Sequence, residues 1–176
     1  DLVDPSGYTS TAAPRIASAV AMLVQAGHDN AAWSSDPVTT SMTNRAGVLV
    51  RNAERSEVIK AALMAGADRV THDSTSADLL NYRRSATDQT ANGLDRRYGA
   101  GQLNVRNSYW ILAGGEQGST EDGNAAASVA SRGFDYDPYF GGSSGSNTTA
   151  TYPLPVDTAP RLKVLKTTEP PGRKAG

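Results

Sequence analysis

The residues most able to do chemistry lie near the start of the chain, where the hydroxyl-rich run G-Y-T-S-T-A-A-P (7–14) leads directly into an apolar segment. The local pattern leaves two interpretations of Ser10 open. One is a helix N-cap, the commonest role of a serine at such a position. The other is a nucleophile at a helix N-terminus, where unpaired backbone N–H groups and the positive end of the helix dipole stabilise an oxyanion on an acyl carbon.

A serine nucleophile needs a base, which is most often a histidine oriented by a carboxylate. The chain has two histidines, His28 and His72, and both stand in polar segments downstream of Ser10. We interpret each of them as a surface residue. The sequence therefore assigns no catalytic base.

Two other patterns suggest ligand binding. Gly99-Ala100-Gly101 begins like a dinucleotide fingerprint, but Asn104 stands where the third glycine belongs, so a turn is the preferred interpretation. Asp135 and Asp137 are carboxylates at alternate positions that could contribute to a calcium site. Calcium takes six to eight oxygens and the chain has no D-x-D-x-D-G loop, so a solvated hairpin is preferred there.

The element that must position Ser10 is the apolar run Ile16–Val24, which is rich in alanine and predicts a helix buried on all faces. Ser10 or Thr11 is its expected N-cap and Pro14 falls in its expected first turn. Gly27 is its expected stop.

Two further helices are predicted. One covers about residues 53–65, with Asn52 as a cap and Gly66 as the terminator. The other begins after Asn104 and ends at Gly114-Gly115. The intervening stretch 68–97 is polar and predicts an excursion over the surface.

Composition excludes several classes of protein. With 17 basic and 18 acidic side chains, the chain has no electrostatic footprint for nucleic acid or an anionic membrane surface. The absence of cysteine excludes a disulfide scaffold and a thiolate metal site. No apolar run approaches the roughly 18 residues of a membrane span.

Because the chain begins at Asp1 without a methionine or a signal peptide, we expect it to be a piece of a longer protein.

Three blocks resemble, in order, the motifs of the subtilisin-like serine proteases. T-S-T-A-A-P-R-I-A-S (9–18) is similar to the serine motif G-T-S-x-A-[AT]-P-x-[VI]-A-[GS], which in that family also leads into an alanine-rich helix. V-I-K-A-A-L-M-A (58–65) resembles the next helix of the family. Y-G-A-G-Q-L-N-V (98–105) resembles its closing Y-G-x-G-x-[LV]-[ND] motif.

The resemblance aligns Ser10 with the family's nucleophile and its N–H with one oxyanion-hole donor. Arg15 receives no catalytic role. In this family the aspartate, the histidine and the oxyanion-hole asparagine lie upstream of the serine, so the upstream part of the same domain would be required. Tyr8 stands where the family has glycine, with Gly7 one place earlier, which implies either a remodelled turn or an impaired site.

The implied fold is α/β: residues 1–115 would be the C-terminal part of a three-layer α/β/α domain with a parallel sheet. Residues 116–158 would form a small β-rich appendage or Gly-rich linker, and 159–176 a disordered tail. The implied activity is cleavage of polypeptide substrates through an acyl-enzyme, by a secreted or periplasmic protein. No cofactor is expected apart from a structural calcium, for which the sequence identifies no site. The alternative is a degenerate, inactive domain that serves as a binding module.

Overall fold

The computed structural model of the chain describes residue 2 and residues 9–35, 42–69, 86–122, 129–140 and 148–154. Among these described residues, three α-helices form the framework: α1 (Thr9–Asp29), α2 (Ser56–Gly66) and α3 (Val105–Ala113). A hairpin of two antiparallel strands lies between α1 and α2 in sequence: β1 (Met42–Thr43) and β2 (Leu49–Val50). These described elements are α/β in a loose sense, and no parallel sheet between helical layers is among them.

One hydrophobic cluster joins the three helices. Its buried members are Ala19, Leu23, Ala53, Val58, Ile59, Ala62, Leu63, Leu112 and Phe134. Phe134 comes from beyond the last helix, so the segment that follows α3 returns to the same core. In the described residues of that segment, regular pairing is limited to a parallel bridge between Glu116 and Phe134.

Helix α1 is longer and more exposed than the sequence predicts. Only Ala19, Leu23 and Gly27 of α1 are buried, and Met22 is 64% exposed, so the described residues of this chain bury the helix along one side and not on all faces. Helix α1 packs against four described elements. They are the 3-10 turn at residues 52–54, the helices α2 and α3, and the 3-10 turn Ala31–Trp33 that follows α1 itself. These neighbours cover a single stripe of the helix.

Gly27 does not end α1, which continues to Asp29. A Cβ at Gly27 would lie 2.8 Å from the carbonyl oxygen of Ala53, so the glycine is needed where the helix crosses the following turn. Gly66 has the same role between α2 and α3, since its Cβ would lie 2.7 Å from the backbone nitrogen and from Oγ of Ser108. Both glycines serve the close approach of backbones.

The predicted cap of α3 is confirmed. Asn104 Oδ1 accepts a hydrogen bond from the Asn107 amide at 3.0 Å, which satisfies one of the free N–H groups of the first turn. Helix α2 begins later than expected, because residues 52–54 form a separate 3-10 turn. There Glu54 Oε1 accepts the Arg51 amide at 3.0 Å.

Several expectations fall outside the described residues: Gly7 and Tyr8, His72, and the tail 159–176. In the part of the chain that is described, no helix has the length and apolar character needed to cross a membrane.

Candidate active site

Ser10 lies in the first turn of α1 and is exposed. The helix already begins at Thr9, so Ser10 is a helical residue and not the N-cap. Pro14 falls in the second turn, which corrects its expected place in the first. Because proline has no N–H, Pro14 cannot donate the usual helical hydrogen bond to the Ser10 carbonyl. Its own carbonyl accepts a hydrogen bond from the Ser18 hydroxyl at 2.8 Å.

The electrostatics of this helix end favour negative charge. The first turn of an α-helix has N–H groups without helical partners, and they concentrate the positive end of the dipole. Helix α1 has no acidic side chain in its first turn to offset this potential. An oxyanion that forms on a carbonyl attacked by the Ser10 hydroxyl would be stabilised there.

His28 cannot be the base for Ser10. It follows Ser10 by 18 positions on the same helix, which places the two about 27 Å apart at the rise of an α-helix. Its Nδ1 lies 3.1 Å from Oε2 of Glu54, whose side chain is only 8% exposed. Arg51 donates a hydrogen bond to the His28 carbonyl. His28 thus belongs to a small polar contact at the far end of α1.

The segment Tyr98–Asn104 is a structural turn. Gly99 and Gly101 have φ values of 61° and 135°, in the left-handed region that favours glycine. Asp68 pairs with Gln102 in an isolated antiparallel bridge. A Cβ at the neighbouring Gly101 would clash with the Asp68 carbonyl oxygen. Asp68 also accepts hydrogen bonds from the Asn104 amide group at 3.0 Å. The glycines therefore allow this turn to form and to pack closely against the backbone at Asp68, as the turn interpretation predicts.

A buried aspartate stabilises the backbone just before that turn. Asp95 is 2% exposed, and its Oδ1 accepts hydrogen bonds from the amides of Arg97 at 2.7 Å and Tyr98 at 2.6 Å. These two bonds fix the backbone just before the buried Tyr98 ring. Sequence reasoning did not single out Asp95, although an aspartate that bonds the amides two and three residues later is typical of turns.

The two carboxylates considered for calcium have protein partners. Asp135 Oδ2 accepts a hydrogen bond from the Tyr152 hydroxyl at 2.7 Å, and Asp137 Oδ1 accepts one from the Tyr139 amide at 2.7 Å. Among the described residues, no group of three or more His, Cys, Asp or Glu side chains is placed to hold a metal ion.

A partly buried polar cluster was not predicted from the sequence. Glu116 accepts hydrogen bonds from the Asn52 side chain at 2.8 Å and from the Ser35 amide at 2.7 Å. Arg55, only 7% exposed, donates to Asn52 at 2.9 Å, and its guanidinium lies 4.4 Å from the centre of the Tyr136 ring. These partners are 64 and 81 residues apart in sequence, so no local pattern reveals them.

No family model matches the chain, and no match was found among curated proteins or solved structures.

Proposed function

We propose that this chain is the C-terminal part of the catalytic domain of a subtilisin-like serine endopeptidase, with Ser10 as the nucleophile. The observation that carries the proposal is the exposed position of Ser10 in the first turn of a 21-residue helix with no acidic side chain in that turn. The chain order of α1, α2 and the turn before α3 is the order of the three family motifs.

The proposed reaction is hydrolysis of a peptide bond. The Ser10 hydroxyl attacks the peptide carbonyl while its proton passes to a histidine, and the amine then leaves with that proton to give an acyl-enzyme. Water hydrolyses the ester and restores Ser10. Because His28 lies about 27 Å away along α1, the histidine and its aspartate would come from an upstream part of the domain. The parent protein would be secreted or periplasmic.

An apolar groove supports the need for such an upstream part. The groove lies between α1 and α2 and has a volume of 680 Å³; it is lined by Leu2, Ile16, Val20, Ile59, Leu63 and Met64 among others. Exposed apolar surface of this kind is typical of a contact site. In the proposed three-layer α/β/α domain, the parallel sheet would cover this side of the two helices.

Active-site labelling tests the nucleophile. A fluorophosphonate probe applied to the full-length protein should label Ser10, and Ser10→Ala should abolish the label. Ser18→Ala is the matched control, because Ser18 is an exposed serine of the same helix whose hydroxyl is bound to the Pro14 carbonyl. A natively folded protein that never labels would refute the endopeptidase and favour a degenerate binding module, for which Tyr8 is the sequence signal.

The fragment hypothesis has its own test. The isolated 176-residue chain should bind a hydrophobic dye and melt broadly, since the groove between α1 and α2 is left open. A sharp, cooperative melt of the isolated chain as a monomer would contradict the proposal that part of the domain is missing.

A further inference from the structure

Residues 148–154, here called the strap, lie across the segment that follows α3. Two backbone hydrogen bonds attach the strap: the Thr120 amide donates to the Thr151 carbonyl at 2.9 Å, and the Val129 amide donates to the Pro153 carbonyl at 3.0 Å. The strap therefore contacts both described parts of the segment 116–140, on either side of residues 123–128.

Carboxylates supply most of the side-chain bonds to the strap. Glu121 accepts the Thr151 amide and the Thr151 hydroxyl, each at 2.7 Å, and the Thr149 hydroxyl at 3.2 Å. Asp135 accepts the Tyr152 hydroxyl at 2.7 Å. Glu121 thus binds the middle of the strap by three hydrogen bonds, and Asp135 binds the following strap residue, Tyr152.

Apolar burial adds little to this attachment. Tyr152 is 41% exposed and Leu154 is 70% exposed. Hydrogen bonds at the surface compete with water and contribute little net stability. A segment with few buried apolar contacts and exposed polar bonds opens at a low free energy, well below that of global unfolding.

The strap also forms a wall of a cavity. Tyr152 lines a cavity of 370 Å³, together with Ala65 of α2, Ile111 of α3 and residues 129–135. Val129, whose amide bonds the strap, also lines this cavity and is buried at 7% exposure. Opening of the strap would move Tyr152 away from this cavity and widen it.

We propose that residues 148–154 form a releasable strap, latched by Glu121, that opens as a unit and widens the cavity beside α2 and α3 while the helices stay folded. This inference does not depend on the proposed protease activity. It assigns Glu121 a positioning role, since its carboxylate bonds Thr149 and Thr151 and Glu121 is not among the residues that line the cavity.

Hydrogen exchange in the full-length protein tests the strap. The informative amide is that of Val129, because it bonds Pro153 and not Glu121. Glu121→Ala should speed its exchange by about tenfold, and Glu121→Gln, which keeps one acceptor oxygen, by less. The Ile59 amide in α2, which bonds the Arg55 carbonyl, should exchange at its normal rate in both variants.

Glu57→Gln is the matched control, because Glu57 is an exposed glutamate in the first turn of α2, away from the strap. It should leave exchange at Val129 unchanged. The proposal is overturned if Glu121→Ala changes Val129 exchange by less than about twofold, or if Ile59 exchange rises in the same proportion. The second result would mean that the strap and helices open together.

Discussion

The helices and the strap are held by different forces. In the core that joins α1, α2 and α3, side chains such as Leu23 and Leu112 are at most 1% exposed, and glycines let backbones approach closely. The strap has exposed apolar side chains and depends on hydrogen bonds to Glu121 and Asp135. Burial should therefore govern stability in the first region, whereas the charge of a carboxylate should govern order in the second.

A pair of leucine truncations tests this contrast, and the core member has the largest expected effect. Leu112→Ala removes a fully buried side chain, at 0% exposure, and should cost about 2–5 kcal/mol of unfolding free energy. Leu154→Ala removes a strap side chain that is 70% exposed and should change the free energy by less than about 0.5 kcal/mol. Urea denaturation of the full-length protein measures both. Equal losses would contradict the contrast.

The next effect is smaller and depends on backbone approach. In an exposed helix, glycine to alanine stabilises by roughly 0.5–1 kcal/mol. Gly66→Ala should instead destabilise by about 1–3 kcal/mol, because the new Cβ meets the backbone and hydroxyl of Ser108 at 2.7 Å.

The reverse change on the same helix is the control for Gly66→Ala. Ala61→Gly at an exposed position of α2 should also destabilise, by roughly 0.5–1 kcal/mol. Urea midpoints should thus fall for both changes, although they are opposite in chemistry. A gain of stability in Gly66→Ala would show that α2 and α3 are not in close contact.

Local patterns predicted the helices well. The apolar spacing of residues 53–65 and the Asn104 cap indicated α2 and α3, since both signals arise within a few residues. The pattern also placed Ser10 at the start of α1, but as its N-cap, whereas the helix already begins at Thr9. Periodicity could not show which faces of α1 find a partner, because burial depends on elements far away in sequence.

The polar contacts were beyond local reasoning for the same physical reason. Asn52 and Glu116 meet across 64 residues, and Glu121 meets Thr151 across 30. Gly27 was predicted to end α1 because glycine is common at helix ends. Glycine is also used where a neighbouring backbone approaches a helix closely, and the local sequence does not distinguish these two roles. Only the position of Ala53 distinguishes the two roles.

Acidification provides the smallest and most local effect. Hydrogen bonds from the Thr151 amide and then its hydroxyl lower the pKa of Glu121 to about 2 from an ordinary value of 4.5, and no charged side chain contributes. A carboxyl whose pKa is lowered by folding stabilises the folded state above its ordinary pKa. That contribution should be lost as the pH falls from about 4.5 towards 2, and the strap should open over this range.

Acid also acts on the helical region, so the measurement must be local. The pKa of Glu57 is lowered by its backbone hydrogen bond and by the Ser56 hydroxyl, which gives α2 an acid dependence of the same sign. After correction for the intrinsic pH dependence of amide exchange, exchange of the Val129 amide should therefore accelerate on acidification. This acceleration is expected in the native protein and in Glu57→Gln. In Glu121→Gln this additional acceleration should be largely absent, because the side chain at position 121 no longer titrates. If this additional acceleration persisted in Glu121→Gln, Glu121 would not be the group whose protonation opens the strap.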